Sequence, residues 1–167
     1  MVRSAVAKNT KQPSSPGAEE CLAMGTLCLS SNLRRTERLV TRVYDEYLLE
    51  VGISAVHLPI LAHVAMMEAP TVRTLTEELE LERSTLSRNL ALLRRRGLIE
   101  LGSSSGPKPG LITLTAKGRT ALRRGHEQWL KAHEALRDNV DDEAASRGLQ
   151  FLKQLRSAAR SAPKPSS

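Results

Sequence analysis

Between Glu82 and Gly97 the chain reads ERSTLSRNLALLRRRG. Arg83, Arg88, Arg94, Arg95 and Arg96 fall in this stretch, and no acid stands between Arg83 and Gly97. A guanidinium is a planar fork of donors, matched to a phosphate or to the O6 and N7 edge of guanine. Ser84, Thr85 and Ser87 add short donors that let a backbone come close. Leu86, Leu90 and Leu93 recur at steps of four and three, the spacing of one buried helix face. At about 100° per residue, Ser84, Arg88, Ala91 and Arg95 then lie opposite that face. Thr85 and Ser87 flank them at the N-terminal end, where free amides and the helix dipole favour an anion. Asn89 sits nearer the buried side and ranks lower.

Such a helix needs a scaffold, and the flanking sequence supplies one. A short helix is expected after Thr71, with Leu75 and Leu79 inward, then a turn through Glu80–Glu82 with Glu82 as cap. Gly97 is the stop signal. Beyond it the period changes. Leu98–Leu101 and Leu111–Leu114 read as strands joined by the Gly/Ser/Pro-rich loop Gly102–Gly110, a hairpin whose cation is Lys108. Upstream, one long helix is expected from about Leu22 to Glu50, with Leu29, Leu33, Thr36, Val40, Val43, Tyr47 and Val51 on one stripe. A second runs from about Ser54, its cap, to Glu68, although Pro59 moves the start toward Leu58. Downstream, a helix after Thr115 carries Leu122, His126, Trp129, His133, Leu136 and Val140 at heptad-like steps. Asp141 caps a last helix whose apolar side is Ala145, Leu149, Leu152, Leu155 and Ala159. Residues 1–17 read as a disordered basic arm and 160–167 as a disordered tail.

The predicted fold is mainly α with a small β-hairpin wing: a winged helix-turn-helix with added helices. Composition agrees. Hydrophobic residues make up 40% of the 167 and charged residues 26%, as in soluble globular proteins, while aromatics at 2% leave the core to aliphatic side chains. The net charge of +7 favours an anionic partner. With the basic helix and hairpin, that partner is expected to be duplex DNA. DNA contacts are assigned to Arg83, Ser84, Thr85, Ser87, Arg88 and Arg95, with Lys108 in the wing. The acids Glu77, Glu78, Glu80 and Glu82 should point away from it. A winged-helix module that binds protein is the competing reading, and the acid-free helix argues against it.

No apolar run reaches the roughly 18 residues of a membrane span, and the start of the chain lacks a signal-peptide core, so a cytoplasmic protein is expected. Cys21 and Cys28 form neither a disulfide framework nor a zinc signature. No catalytic constellation, metal set or cofactor motif stands out, and no enzyme is expected.

The segments GISAVHLPIL, LTEELELERSTLSRNLALLRRRGLIE and ITLTAKGR, in this order and spacing, resemble the multiple-antibiotic-resistance regulator (MarR) family over about residues 25–158. The resemblance implies a transcription regulator, acting as an obligate homodimer. Residues 22–51 and 116–159 would form the dimerisation helices and 54–115 the winged-helix lobe. The helix from Arg83 to Arg96 would be the recognition helix. A small molecule or oxidant would modulate it between the two regions. The wing departs from the family pattern: its tip, GSSSGPKPG, has no arginine.

Two further residues are candidates for effector or redox control. Cys28 is cast as a sensor only by that resemblance, and its bland alternative is a small apolar side chain. His57 is expected to border the effector pocket. His126 and His133, with Trp129 between them, could line a ligand pocket; packed histidines are the plainer alternative.

Overall fold

The computed structural model describes residues 15–102 and 110–163. Most of the predicted arm, the end of the tail and the wing tip with Lys108 lie outside these residues. The chain divides into two compact units, Met1–Val40 and Thr41–Ser167.

In the first unit, α1 spans Ala18–Leu27, and the N–H of Gly17 donates to Glu20 Oε2 at 2.8 Å in its capping box. The single long helix expected here is in fact broken. Cys28 takes extended backbone (φ −67°, ψ 110°), and α2, Leu29–Leu48, starts at the next residue. The Asn32 amide explains the break locally: it donates to the carbonyls of Thr26 and Cys28, both at 3.0 Å. The Cys28 carbonyl also accepts from the Asn32 backbone N–H at 3.1 Å, so Asn32 ties the end of α1 to the first turn of α2. Leu29 and Leu33, the first residues of the predicted stripe, are exposed, as are Leu22 and Leu27 of α1.

The second unit holds the end of α2, a 3-10 turn (Leu49–Val51) and the rest of the fold. Gly52, at φ 70°, closes that turn in the left-handed region that glycine adopts without a Cβ penalty. Next come α3 (His57–Met66), α4 (Val72–Leu79), α5 (Arg83–Arg95), β1 (Ile99–Leu101), β2 (Ile112–Leu114), α6 (Ala116–Arg137) and α7 (Asp142–Ser161). The start of α3 is the later one: Pro59 is its third residue, where the missing N–H would have had no intrahelical partner. Ser54 does not cap this helix through its side chain. Its carbonyl accepts from the amides of His57 and Leu58, and its hydroxyl bonds the His57 ring instead.

Strands β1 and β2 pair antiparallel, Ile99 opposite Leu114 and Leu101 opposite Ile112. The Ile112 amide also donates to Pro70 O at 2.9 Å, which ties the wing base to the entry of α4. Thr71, Thr115 and Asp141 cap α4, α6 and α7 by accepting from the third backbone N–H beyond, as their positions predict. The core gathers Leu48, Ile60, Leu61, Leu75, Leu86, Leu93, Ile99 and Ile112, all fully buried.

Helix α6 differs from expectation. Its buried face is Gly118, Ala121, Gly125 and Ala132, and the heptad-like stripe lies to one side, half-buried or exposed. Close packing is the reason. A Cβ on Gly118 would fall 1.9 Å from the Leu98 carbonyl oxygen, and one on Gly125 2.8 Å from Ile53 Cδ1. Helix α7 buries no residue: Leu149 is 65% exposed and Phe151 49%. Between α3 and α4, Glu68 (φ 50°) and Ala69 (φ 80°) both take left-handed backbone, at a cost of roughly 1–2 kcal/mol per residue.

Candidate nucleic-acid interface

Helix α5 is held by Leu86, Leu90 and Leu93, at most 3% exposed. That anchoring turns Arg83, Ser84, Ser87, Arg88, Ala91 and Arg95 outward to solvent, with Thr85 half-buried at the edge. The six described residues expected to contact DNA thus share one helix and the lobe's surface. Arg88 Nη2 donates to Thr85 Oγ1 at 3.3 Å, which steadies the guanidinium along the helix. Glu82 occupies the cap position of α5, yet its side chain makes no cap hydrogen bond. The first-turn amides therefore have no acceptor from the cap side chain, as an incoming phosphate would require.

The far end of the helix is fastened to the protein. Arg96 donates to Gly52 O (2.9 Å), and Lys117 donates to Arg96 O (2.8 Å). Asn89 spends its amide on Thr85 O at 3.1 Å. Of the acids before the helix, Glu77 pairs with Arg73 and Glu80 with Arg160, so two of the nearby carboxylates have cationic partners of their own.

His57 is buried, and the Ser54 hydroxyl lies 2.8 Å from its Nδ1. Burial holds its pKa below 6.5, helped by the charge of Arg96; Asp45 and a hydrogen bond to Asn89 act the other way. His57 does not line the cavity described next, although its neighbours Ala55, Leu58 and Pro59 do. Cys28 is half-exposed at the α1–α2 break. A hydrogen bond from the Ser31 side chain lowers its thiol pKa, with smaller help from backbone amides at the start of α2 and from Arg34.

A chamber of about 640 Å³ opens beside α3 and α6, with Tyr44, Leu48, Leu58, Leu122, His126 and Trp129 in its lining. Trp129 stacks between two histidines, its ring centre 5.8 Å from that of His126 and 5.0 Å from that of His133. The Tyr44 hydroxyl reaches His133 Nδ1 at 3.3 Å, and burial raises the Tyr44 pKa. The His–Trp–His pattern was visible in sequence. Tyr44 was not, because it stands off the apolar stripe of α2. Among the described residues, no group of His, Cys, Asp and Glu could hold a metal ion, and no helix is long and apolar enough to cross a membrane.

Residues 51–108 match the sequence profile of the MarR family. Comparison with curated protein sequences finds no match. The M. tuberculosis transcriptional regulator MosR, solved in complex with DNA, is 30% identical, with 80% of this chain and 98% of that one aligned at a TM-score of 0.67. E. coli MarR, as a cysteine-to-serine variant complexed with operator DNA, is 22% identical, covering 84% and 99%, with a TM-score of 0.68. The repressor CouR, bound to p-coumaroyl-CoA, is 19% identical, covering 84% and 98%, with a TM-score of 0.71. The fold is that of a winged-helix transcription regulator, and the chain belongs to the MarR family.

Proposed function

We propose that the protein is a sequence-specific DNA-binding regulator that acts as a homodimeric repressor on a pseudo-palindromic operator. The observation that carries this is the outward face of α5: Ser84, Ser87, Arg88 and Arg95 on a helix locked by three buried leucines. Arg88 is the leading base contact, Arg83 and the hydroxyls of Ser84, Thr85 and Ser87 hold phosphate, and Arg95 follows the backbone. Lys108 extends the contact from the wing. Two copies of α5 would sit about 34 Å apart, one turn of B-form DNA. The DNA-bound relatives MosR and MarR support this reading. The exposed leucines of α1, α2 and α7 support a dimer. The chamber, and a relative that binds p-coumaroyl-CoA, support release by a small molecule. Cys28, with its lowered thiol, offers a second route through oxidants. Binding, not catalysis, would be the whole activity, and the cytoplasm its place.

Fluorescence anisotropy tests this, using DNA from upstream of the protein's own gene and a scrambled duplex across a salt series. Preferential binding that weakens linearly in log salt is the expected result. No binding to either duplex at low salt would reject it in favour of a protein-interaction module. Arg88→Ala should weaken operator binding by about 1–3 kcal/mol with folding intact; unchanged affinity would remove it from the contact set.

A further inference from the structure

Among the described residues, His57 alone carries a buried polar side chain. Its Nδ1 lies 2.8 Å from the Ser54 hydroxyl and 3.4 Å from the Ser54 N–H. A backbone N–H can only donate, so Nδ1 accepts and the ring proton sits on Nε2. That proton serves Asn89, to whose side chain the ring is hydrogen-bonded. The Asn89 amide nitrogen donates to Thr85 O at 3.1 Å, which leaves its Oδ1 to accept from the ring. The bonds therefore run in one direction, from Ser54 to His57, from His57 to Asn89 and from Asn89 to Thr85. Arg88 Nη2 joins the same threonine at Oγ1. The run begins at the entry of α3 and ends on two residues assigned to DNA.

Two charges from other elements act on the ring. Arg96, at the C-cap of α5, is anchored by donation to Gly52 O at 2.9 Å, and its charge opposes a second ring proton. Asp45 on α2, whose Oδ1 accepts from the Ala55 N–H at 2.7 Å, favours one. Burial is the largest influence and sides with Arg96, so the ring is neutral at neutral pH. A protonated ring would turn an Nδ1 proton toward the Ser54 N–H, donor against donor. Acid thus attacks the start of the run.

Leu86, Leu90 and Leu93 settle which side of α5 is buried. Apolar contact is non-directional, however, and sets the slide and fine rotation of a helix only loosely. A directional bond at Asn89, the residue after Arg88, sets both. We propose that His57 is a positioning residue for DNA recognition: through Asn89 it fixes the first turns of α5, and with them Thr85 and Arg88, in the register that reads the operator. The consequence for DNA rests on the DNA-binding reading; the hold on α5 does not.

Hydrogen–deuterium exchange on the full chain without DNA tests the hold itself. His57→Leu and Asn89→Leu should each speed exchange of the α5 amides from Leu86 to Leu90 by about tenfold, the scale of one lost buried hydrogen bond, and leave α6 unchanged. Unchanged exchange in α5 would overturn the proposal whether or not the protein binds DNA. Fluorescence anisotropy with the operator and a scrambled duplex tests the consequence. Each variant should weaken operator binding by about tenfold while binding to the scrambled duplex, which reads only backbone charge, holds. The double variant should be no weaker than either single, because both break one run of bonds. His57→Gln can still accept from Ser54 and donate to Asn89 but does not titrate. It should recover much of the affinity and remove the loss that the wild type shows from pH 7.5 to pH 5. Losses that multiply in the double variant, or a wild-type pH profile in His57→Gln, would also overturn the proposal. A wild type that binds both duplexes alike would reject the DNA-binding reading, and exchange alone would then decide what His57 holds.

Discussion

Helix α5 carries Leu86, Leu90 and Leu93 on one side, and all three are buried; α7 carries Leu149, Leu152 and Leu155 on one side, and none is. Both sequences have the apolar periodicity of a helix with a face to hide. The difference is where the facing surface comes from. For α5 it is the rest of the lobe, with α4 and β1 packed against it. For α7 the protomer offers no such surface, which suits a helix whose partner is a second chain. Amphipathicity therefore reports that a helix needs a neighbour without saying whether the neighbour is in the same polypeptide.

The largest expected effect lies on the closed side of this comparison. Leu90→Ala should destabilise the lobe by about 2–5 kcal/mol, read as a fall in denaturant midpoint that does not depend on protein concentration. Gly118→Ala should cost about 1–3 kcal/mol, because its methyl group would meet the Leu98 carbonyl and α6 would have to move away. A wild-type midpoint in either variant would show that the packing is looser than the geometry implies. Leu149→Ala should behave oppositely. Protomer stability at high dilution should barely change, while dimer dissociation, followed by analytical ultracentrifugation, should strengthen by about 1 kcal/mol or more. If its effect were independent of concentration, the contrast between the two helices would fail.

The smallest effect concerns pH. The folded His57 has its pKa held below 6.5, so the unfolded chain takes up this proton first as pH falls. The stability associated with the neutral ring is complete above about pH 6.5 and declines below it, down to the lowered folded value. Urea midpoints measured from pH 7.5 to pH 5 should show this decline in wild type and a flatter profile in His57→Gln. Parallel profiles would show that burial of His57 is not what the acid limb reports.

The outward face of α5 was legible because helical periodicity is local: three leucines at steps of four and three settle which way Arg88 points. The cap Asp141 and the helix starts after Thr71 and Thr115 were legible for the same reason, since a cap acts on an amide three residues away. The break at Cys28 was not, because it depends on how Asn32 bonds two carbonyls. Nor was the buried face of α6. Leu122, Trp129 and Leu136 make the more conspicuous apolar stripe, and only the proximity of Leu98 and Ile53 shows why glycine and alanine had to face the core.

Sequence by itself determined the helix-turn-helix, the hairpin, the acid-free basic helix and the family, all written in short-range spacing and side-chain type. Tertiary structure alone decided the chamber, the run of bonds from Ser54 through His57 to Thr85, the engagement of Arg96 by Gly52 and the strain at Glu68–Ala69. Each of these joins groups brought together by the folded backbone, and no period in the sequence encodes the distances between them.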